Sequence, residues 1–242
     1  MRSSSSTNAT GSWAELNDRI VACRTCDRLV AHCQQVAAVK RRAYRDWDYW
    51  GRPVPNFGDA SGAVLLVGLA PGAHGSNRTG QMFTGDASGE WLFRALHKAG
   101  FANQPNARSI DDGLRLIDCA ITAAVHCAPP DNKPTTAEKA ACRPWLEQTI
   151  DQSPARVFVA LGGLAWNELV VQFRRKGWYQ GKAPKFGHEA VVPLANGRSL
   201  LGSYHPSRQN TNTGRLTETM LDSVFARALE LMARDGGNRR RH

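Results

Sequence analysis

Four of the six cysteines have the spacing and the context of metal ligands. Cys23 and Cys26 form a C-x-x-C pair, which can direct two sulfurs at one centre, and Cys127 and Cys142 lie far downstream. A zinc ribbon repeats the C-x-x-C pair, whereas one pair with two scattered cysteines is common for a [4Fe-4S] cluster. The pattern therefore favours an iron-sulfur cluster, with zinc and a set of buried core thiols as the alternatives.

The other two cysteines lack such a pattern. Cys119 lies in an apolar run and is expected to be a small core residue, whereas Cys33 stays open between ligand and core because it lies near the pair. Residues 1–12 are small and polar, without the apolar segment of a secretory signal, and indicate a disordered leader. Cysteine-rich chains without an export signal are typical of reducing compartments, so we expect a cytoplasmic protein.

Three further segments carry glycines and polar side chains where ligands often bind in α/β proteins. The first follows the apolar run AVLLVGL and ends it in a sharp turn, a position that favours ligand sites. The segments are GLAPGAHGSNRTG at 68–80 with FTGD at 83–86, CAPPDNKPT at 127–135, and SYHPSRQN at 203–210.

Strand and helix patterns alternate along the chain and position these segments. Continuous apolar runs predict buried parallel strands, and capping boxes and helical spacing predict the helices between them. The predicted strands are 63–69, a strand within 115–125, 156–161, 189–194 and 199–203, and the predicted helices begin at Ser12 and cover 88–99, 135–152, 164–173 and 217–234. This order predicts a three-layer α/β/α sandwich with a mostly parallel four-stranded central sheet.

The charge of the chain indicates a polyanionic partner. Its net charge is +10 and its isoelectric point is about 9.7, which is typical of nucleic-acid binders, although a basic surface kept for solubility gives the same values. No apolar run approaches the roughly 20 residues of a membrane helix. We therefore expect a monomer with one domain over 13–234 and a basic tail at 235–242, without membrane association.

Together, the three segments and the four cysteines resemble the iron-sulfur uracil-DNA glycosylases, and most closely their family 5, or type b, branch. The resemblance runs from about Cys23 to Leu229. It implies a DNA-repair enzyme that flips a uracil or another deaminated base out of DNA and hydrolyses its N-glycosidic bond. It also implies a [4Fe-4S] cluster held by Cys23, Cys26, Cys127 and Cys142.

The resemblance assigns roles to individual residues. Phe83 is the aromatic floor of the base pocket, and the backbone of Gly68, Ala70 and Gly72 is its wall. His205 donates to O2 of the leaving base, while Asp86 and Asn132 position the attacking water.

The chain also departs from better-known branches of that superfamily. Leu69 and Ala70 stand where related branches have an acid or an asparagine, and Ala123 stands where an asparagine reads the uracil edge. The first change means that the water is positioned from elsewhere. The second predicts a tolerant pocket that also accepts hypoxanthine, xanthine or bulky uracils.

The third segment also resembles a loop that probes DNA. Ser207 can bind a phosphate, Arg208 and Gln209 can fill the gap left by the flipped base, and Asn210 can hold the loop or touch the base. Lys133 and Arg78 are further candidates for phosphate contacts.

Two other functions fit parts of the sequence. A redox or nucleotide-binding protein explains the cysteines and the glycine-rich turn, but that turn lacks the dinucleotide and P-loop fingerprints. A non-catalytic nucleic-acid-binding module with zinc or an iron-sulfur cluster leaves His205, Asp86 and Asn132 at the strand ends unexplained.

Overall fold

The structure is a computed structural model that describes residues 12–236, with side chains up to residue 233. The predicted leader lies outside the described residues except for Ser12, and residues 237–242 of the predicted tail also lie outside them. Ser12 belongs to the folded part, because its side chain accepts from Glu15 N while the Glu15 carboxylate accepts from Ser12 N. The predicted capping box is therefore confirmed.

Two helices precede the sheet, and the C-x-x-C pair lies at the break between them. Helix α1 covers Trp13–Ala22 and α2 covers Asp27–Val39. Cys23 is the C-terminal cap of α1 and Cys26 is the N-terminal cap of α2, so both thiols lie at helix ends.

The sheet has six strands, of which the central four are parallel. The strands are β1 (Phe57–Gly58), β2 (Val64–Gly68), β3 (Cys119–Ala123), β4 (Val157–Leu161), β5 (Val191–Leu194) and β6 (Arg198–Ser203). Their spatial order is β1-β3-β2-β4-β6-β5, with β1 and β5 antiparallel at the two edges. The predicted parallel four-stranded sheet is confirmed as β3-β2-β4-β6, and two short edge strands extend it.

Helices cover both faces of the sheet and complete three layers. The remaining helices are α3 (Ser76–Thr79), α4 (Ala87–Lys98), α5 (Thr136–Gln152), α6 (Gly163–Arg175), α7 (Arg208–Asn212) and α8 (Glu218–Gly236). Alternate residues of β2 serve the two cores: Val64 and Leu66 pack with α4 and α8, whereas Leu65 and Val67 pack with α5 and α6. A strand that is buried on both faces is uniformly apolar, which is why β2 has no polar alternation.

The predicted elements agree with the observed ones to within a few residues at each end. The short helices α3 and α7 were not predicted, and neither was β1, because the aromatic segment 45–58 was expected to be a loop throughout and its last two residues pair with β3. Within residues 12–236, no helix combines the length and the apolar character needed to cross a membrane.

Candidate active site

The three polar segments meet around one cleft at the carboxyl ends of the parallel strands. The cleft has a volume of about 1930 Å³ and opens to solvent. The first segment follows β2, the second follows β3 and the third follows β6. The predicted site residues that line it are Gly68, Ala70, Gly72, Phe83, Asp86, Ala123, Asn132, His205, Ser207, Arg208 and Gln209.

Phe83 lies against the end of β2 in a strained backbone conformation. Its φ angle is +55°, which is unusual for an aromatic residue. A Cβ on Gly68 would lie 3.0 Å from the Phe83 ring, and a Cβ on Gly89 would overlap the Phe83 carbonyl. Glycines at these two positions therefore let the ring lie flat against the strand end, and strain of this kind often marks a functional site.

Asp86 links the first segment to helix α4. Its Oδ1 accepts a hydrogen bond of 3.0 Å from the backbone N–H of Gly89, so the carboxylate caps the helix. Its Oδ2 faces the glycine turn, where a Cβ on Gly75 would lie only 2.1 Å away. Burial raises the pKa of the Asp86 carboxyl, although hydrogen bonds from the Gly89 and Ser88 backbone act to lower it.

His205 lies opposite, with its ring over Phe83. The two ring centroids are 5.7 Å apart and the planes are inclined by 33°. Burial lowers the pKa of His205 to about 4, so the imidazole is neutral at pH 7. Among the described residues, neither ring nitrogen has a hydrogen-bond partner, whereas Asn210 Nδ2 donates to the His205 carbonyl at 2.8 Å. The bond from Asn210 fixes the loop, and the His205 ring stays available to a ligand.

The second segment contributes the polar wall next to Ala123. Asp131 and Asn132 both have positive φ angles, 53° and 56°, which Asp and Asn tolerate better than most residues. Asn132 is exposed and lines the cleft. Lys133 is also exposed, but it lies outside the lining, and its carbonyl accepts from Arg28 at 3.3 Å.

The third segment presents its short helix α7 to the cleft, but one of its predicted site residues does not line the cleft. Ser207 caps α7 by accepting from Asn210 N at 3.4 Å, and Arg208 and Gln209 are exposed at the rim. Asn210 was predicted to bind substrate, but it does not line the cleft, and its amide is engaged with the His205 carbonyl. Asn210 therefore positions the loop.

Arg78 also differs from the prediction, because its side chain is buried. The residue is 3% exposed, and its guanidinium lies 4.0 Å from the ring centre of Tyr44 and 4.1 Å from that of Trp47. Its Nε donates to the His74 carbonyl and its Nη2 to the Gly85 carbonyl. The predicted exposed phosphate contact is therefore wrong, since the aromatic segment covers the arginine.

Sequence reasoning gave no role to several residues that line the cleft, among them His74 and Leu164. His74 lies within the first segment, and its Nδ1 is 3.0 Å from the hydroxyl of Tyr49. Leu164, at the start of α6, is an apolar side chain that is 51% exposed. The sequence signal for His74 was its place between two glycines, but nothing local distinguishes Leu164 from a core leucine.

The four predicted metal ligands line a second, smaller cavity of about 340 Å³. Cys23, Cys26, Cys127 and Cys142 surround it together with apolar residues such as Leu29 and Trp145. Cys142 Sγ also accepts a hydrogen bond from His126 N at 3.4 Å. In residues 12–236, no three His, Cys, Asp or Glu side chains converge closely enough to hold a single ion.

Cys33 lies outside this cavity lining. It is fully buried, and its thiol donates to the Ala128 carbonyl at 3.7 Å. Burial raises the pKa of Cys142 to about 12, and contact with Cys33 together with burial raises the pKa of Cys127. Such thiols stay protonated at neutral pH unless a cation displaces their protons.

A comparison with protein families matches residues 55–229, which hold all three segments, to the uracil DNA glycosylase superfamily. The chain belongs to this superfamily. The match covers the sheet and every residue around the large cleft except the contributors from 41–44.

Relatives confirm the branch that the sequence resembles. The chain is 52% identical to a type-5 uracil-DNA glycosylase of Mycobacterium tuberculosis over 91% of this chain and 82% of the relative. It is 51% identical to the type-5 enzyme of Thermus thermophilus over 88% and 94% of the two chains. It is 44% identical to that of Pyrobaculum aerophilum over 90% and 92%.

Proposed function

We propose that this protein is a monomeric uracil-DNA glycosylase that acts on a nucleotide flipped into the large cleft. The observation that carries the proposal is the placement of an aromatic floor, a buried carboxylate and an unpartnered neutral imidazole around that cleft. Family membership supports the same reaction. A single chain supplies all three groups, so no partner subunit is needed to complete the site.

The hydrolysis can be written with the side chains that line the cleft. The base stacks on Phe83, and a water held by Asp86 and Asn132 attacks C1′ of the sugar. The water proton passes to Asp86 as the C1′–N1 bond breaks, and the bonding electrons leave with the base. His205 donates to O2 of the departing anion and stabilises its charge, which a neutral imidazole with one N–H can do.

The range of bases that the enzyme accepts follows from the absence of a side-chain amide at the end of β3. Ala123 offers a methyl group where a side-chain amide could read the edge of uracil. A site that does not hydrogen-bond a base edge discriminates weakly against bases with a different edge. We therefore include hypoxanthine, xanthine and bulky uracils among the substrates.

The exposed rim of the cleft supports the DNA contacts. Ser207 at the cleft and the exposed Lys133 just outside it bind phosphates, and Arg208 and Gln209 fill the gap left by the flipped base. Because the described cysteines are all free thiols, a reducing compartment such as the cytoplasm suits the protein.

The small cavity fits a [4Fe-4S] cluster held by Cys23, Cys26, Cys127 and Cys142. Its fit rests on four thiols around one space with otherwise mostly apolar walls, and on the burial of Cys127 and Cys142. A zinc ion held by the same four thiolates is the alternative. When bound, the cluster supplies a structural link between the α1–α2 break and the segments after β3, and no step of base removal passes through it.

Uracil release from a single-uracil oligonucleotide tests the reaction. We expect Asp86→Asn and His205→Ala each to lower the single-turnover rate by about 10²-fold or more, the usual size of general-base and electrostatic effects. Ile110→Ala, at an exposed site outside the cleft, should leave the rate unchanged. Full activity in both cleft variants would contradict these roles, and DNA binding without release by the wild type would favour a non-catalytic module.

The cofactor and the base range have separate tests. Protein purified without oxygen should contain iron and sulfide and absorb visible light, and Cys142→Ala should lose this absorbance while Cys33→Ala keeps it. Stoichiometric zinc in a colourless protein would overturn the cluster.

Ala123→Asn should narrow the range of bases that the enzyme releases towards uracil. An unchanged ratio of hypoxanthine to uracil release would contradict the tolerant pocket.

A further inference from the structure

A second cavity adjoins the proposed active site and has no role in base removal. It has a volume of about 1240 Å³ and shares Tyr44, Gly85 and Asp86 with the large cleft. We call it the flank cavity. Its other lining residues are Trp47, Arg78, Glu90, Trp91, Arg94, Pro105, Asn106, Ala107, Arg108 and Glu218.

The basic and aromatic segment between α2 and β1 forms one side of the flank cavity. Arg41 and Tyr44 reach the large cleft, while Tyr44 and Trp47 reach the flank cavity, so this segment borders both. Segments that combine cations with aromatic rings commonly bind single-stranded nucleic acid by holding the backbone and stacking the bases. The three glycosylase motifs do not include this segment.

Arg78 holds the aromatic segment in place beside the flank cavity. It is only 3% exposed, and two of its three guanidinium nitrogens donate to backbone carbonyls. Its guanidinium lies 4.0 Å from the ring centre of Tyr44 and 4.1 Å from that of Trp47. The arginine therefore fixes two of the aromatic rings that line the flank cavity.

The charges of the flank cavity favour a nucleobase over a phosphate. Three arginines line it, but three carboxylates, Asp86, Glu90 and Glu218, balance them. Arg94 is further neutralised by Asp222 at 2.6 Å. A cavity with balanced charges and tryptophan side chains suits a planar, uncharged ring, which every nucleobase has.

We propose that the flank cavity binds the base of the nucleotide next to the flipped one on the same strand. This proposal rests on the proposed function, because the flipped nucleotide fixes where its neighbour lies. The neighbouring base must also leave its stack, which costs free energy in a duplex and little in a single strand. The contact therefore makes the enzyme sensitive to the neighbouring base, and most so on single strands.

The test removes the neighbouring base and then fills the cavity. Single-stranded oligonucleotides carry one uracil with an intact neighbour, or with a tetrahydrofuran abasic residue at its 5′ or its 3′ side. We expect the abasic residue on one of the two sides to raise the KM for uracil release about tenfold, the size that base stacking on aromatic side chains gives elsewhere.

Asn106→Tyr fills the flank cavity from an exposed position, so folding should persist. It should raise the KM for the intact strand to the value for the abasic strand, leave the abasic value unchanged, and preserve kcat. Ile110→Tyr is the matched control, because Ile110 is exposed in the same loop but does not line the cavity.

Three outcomes separate the possibilities. Equal KM values for the intact and both abasic strands in the wild type overturn the flank-base proposal while uracil release itself stands. A fall of kcat on every strand in Asn106→Tyr also overturns it, since the cavity would then supply water to Asp86. If no strand releases uracil, the proposed function fails, and fluorescence anisotropy with the same strands still decides whether the neighbouring base contributes to binding.

Discussion

Burial acts in opposite senses on the two titratable groups at the centre of the cleft. It raises the pKa of Asp86, because the charged carboxylate loses solvation, and it lowers the pKa of His205 to about 4, because the imidazolium loses it. At neutral pH His205 is therefore a neutral hydrogen-bond donor, which can stabilise an anion. Water activation requires the ionised form of Asp86, which forms at a higher pH than for an exposed aspartate.

The pH dependence of the chemical step follows from these shifts. Asp86 must be ionised to accept the water proton, so the rate should fall as the pH drops through its pKa, at a higher pH than the ordinary value of 3.8. His205 stays neutral down to about pH 4 and should add no inflection between pH 5 and 8. Single-turnover uracil release across this range measures the profile. An inflection near 6.5 that disappears in His205→Ala would contradict a neutral imidazole.

Gly75 keeps the space that the Asp86 carboxylate occupies. Its backbone angles are φ −99° and ψ −104°, and an added Cβ would lie 2.1 Å from Oδ2 and 2.7 Å from the carboxyl carbon. Gly75→Ala should displace the carboxylate and lower the single-turnover rate about as much as Asp86→Asn. Gly187→Ala is the control, because its Cβ would meet only the Ala190 methyl at 3.5 Å. Normal turnover in Gly75→Ala would show that the carboxylate position does not matter.

At the scale of elements, one carboxylate joins the N-terminal helices to α5. Glu138 accepts from Thr135 N at 2.7 Å in the capping box of α5, and it accepts two hydrogen bonds of 2.7 Å from Arg28 of α2. Arg28 holds the pKa of Glu138 down at about 2. The Arg28–Glu138 ion pair holds α5, which carries Cys142, next to α2, which follows Cys26.

Glu138→Gln should lower the free energy of unfolding by about 1 to 2 kcal/mol at pH 7, because the charged hydrogen bonds to a half-exposed Arg28 are lost. The difference from wild type should shrink as the pH falls from 4.5 towards 2, where the carboxylate of the native protein becomes protonated. Urea unfolding measures both values.

Glu15→Gln changes the exposed capping box of α1, whose Glu15 forms no ion pair with any residue that the structure describes, and should cost less than about 0.5 kcal/mol. Equal losses in the two variants would show that the Arg28 contact contributes nothing.

At the scale of the whole molecule, the parallel sheet and the net charge act together. The sheet order places β2 between β3 and β4, so the carboxyl ends of β2, β3 and β6 all face the cleft. The net charge of +10 attracts a polyanion to the surface, and we expect the rim of the cleft to determine where it docks.

Binding to DNA should weaken strongly with salt. With two to four phosphates neutralised, affinity should fall about ten- to a hundredfold between 50 and 200 mM salt. Lys133→Gln and Arg208→Gln should each reduce the slope of log K against log salt by about one. Lys182→Gln, exposed but outside the cleft lining, should change it less. Affinity that is independent of salt would exclude phosphate contacts as the source of binding.

The sequence by itself determined the features that depend on neighbours along the chain. The capping box at Ser12 marks a helix start through contacts three residues apart, and the apolar run of β2 indicates a strand buried on both faces. The motif segments could be grouped in advance because parallel strands bring their carboxyl ends to one edge. Homology to type-5 enzymes then fixed the family.

Tertiary structure alone decided which side chains of these segments face the cleft. Arg78 and Asn210 have the chemistry of DNA and base contacts, but one is covered by Tyr44 and Trp47 and the other holds the His205 loop. The pairing of β1 with β3 joins residues about 60 positions apart. Burial and orientation arise from packing between distant parts of the chain, and local sequence patterns carry no record of that packing.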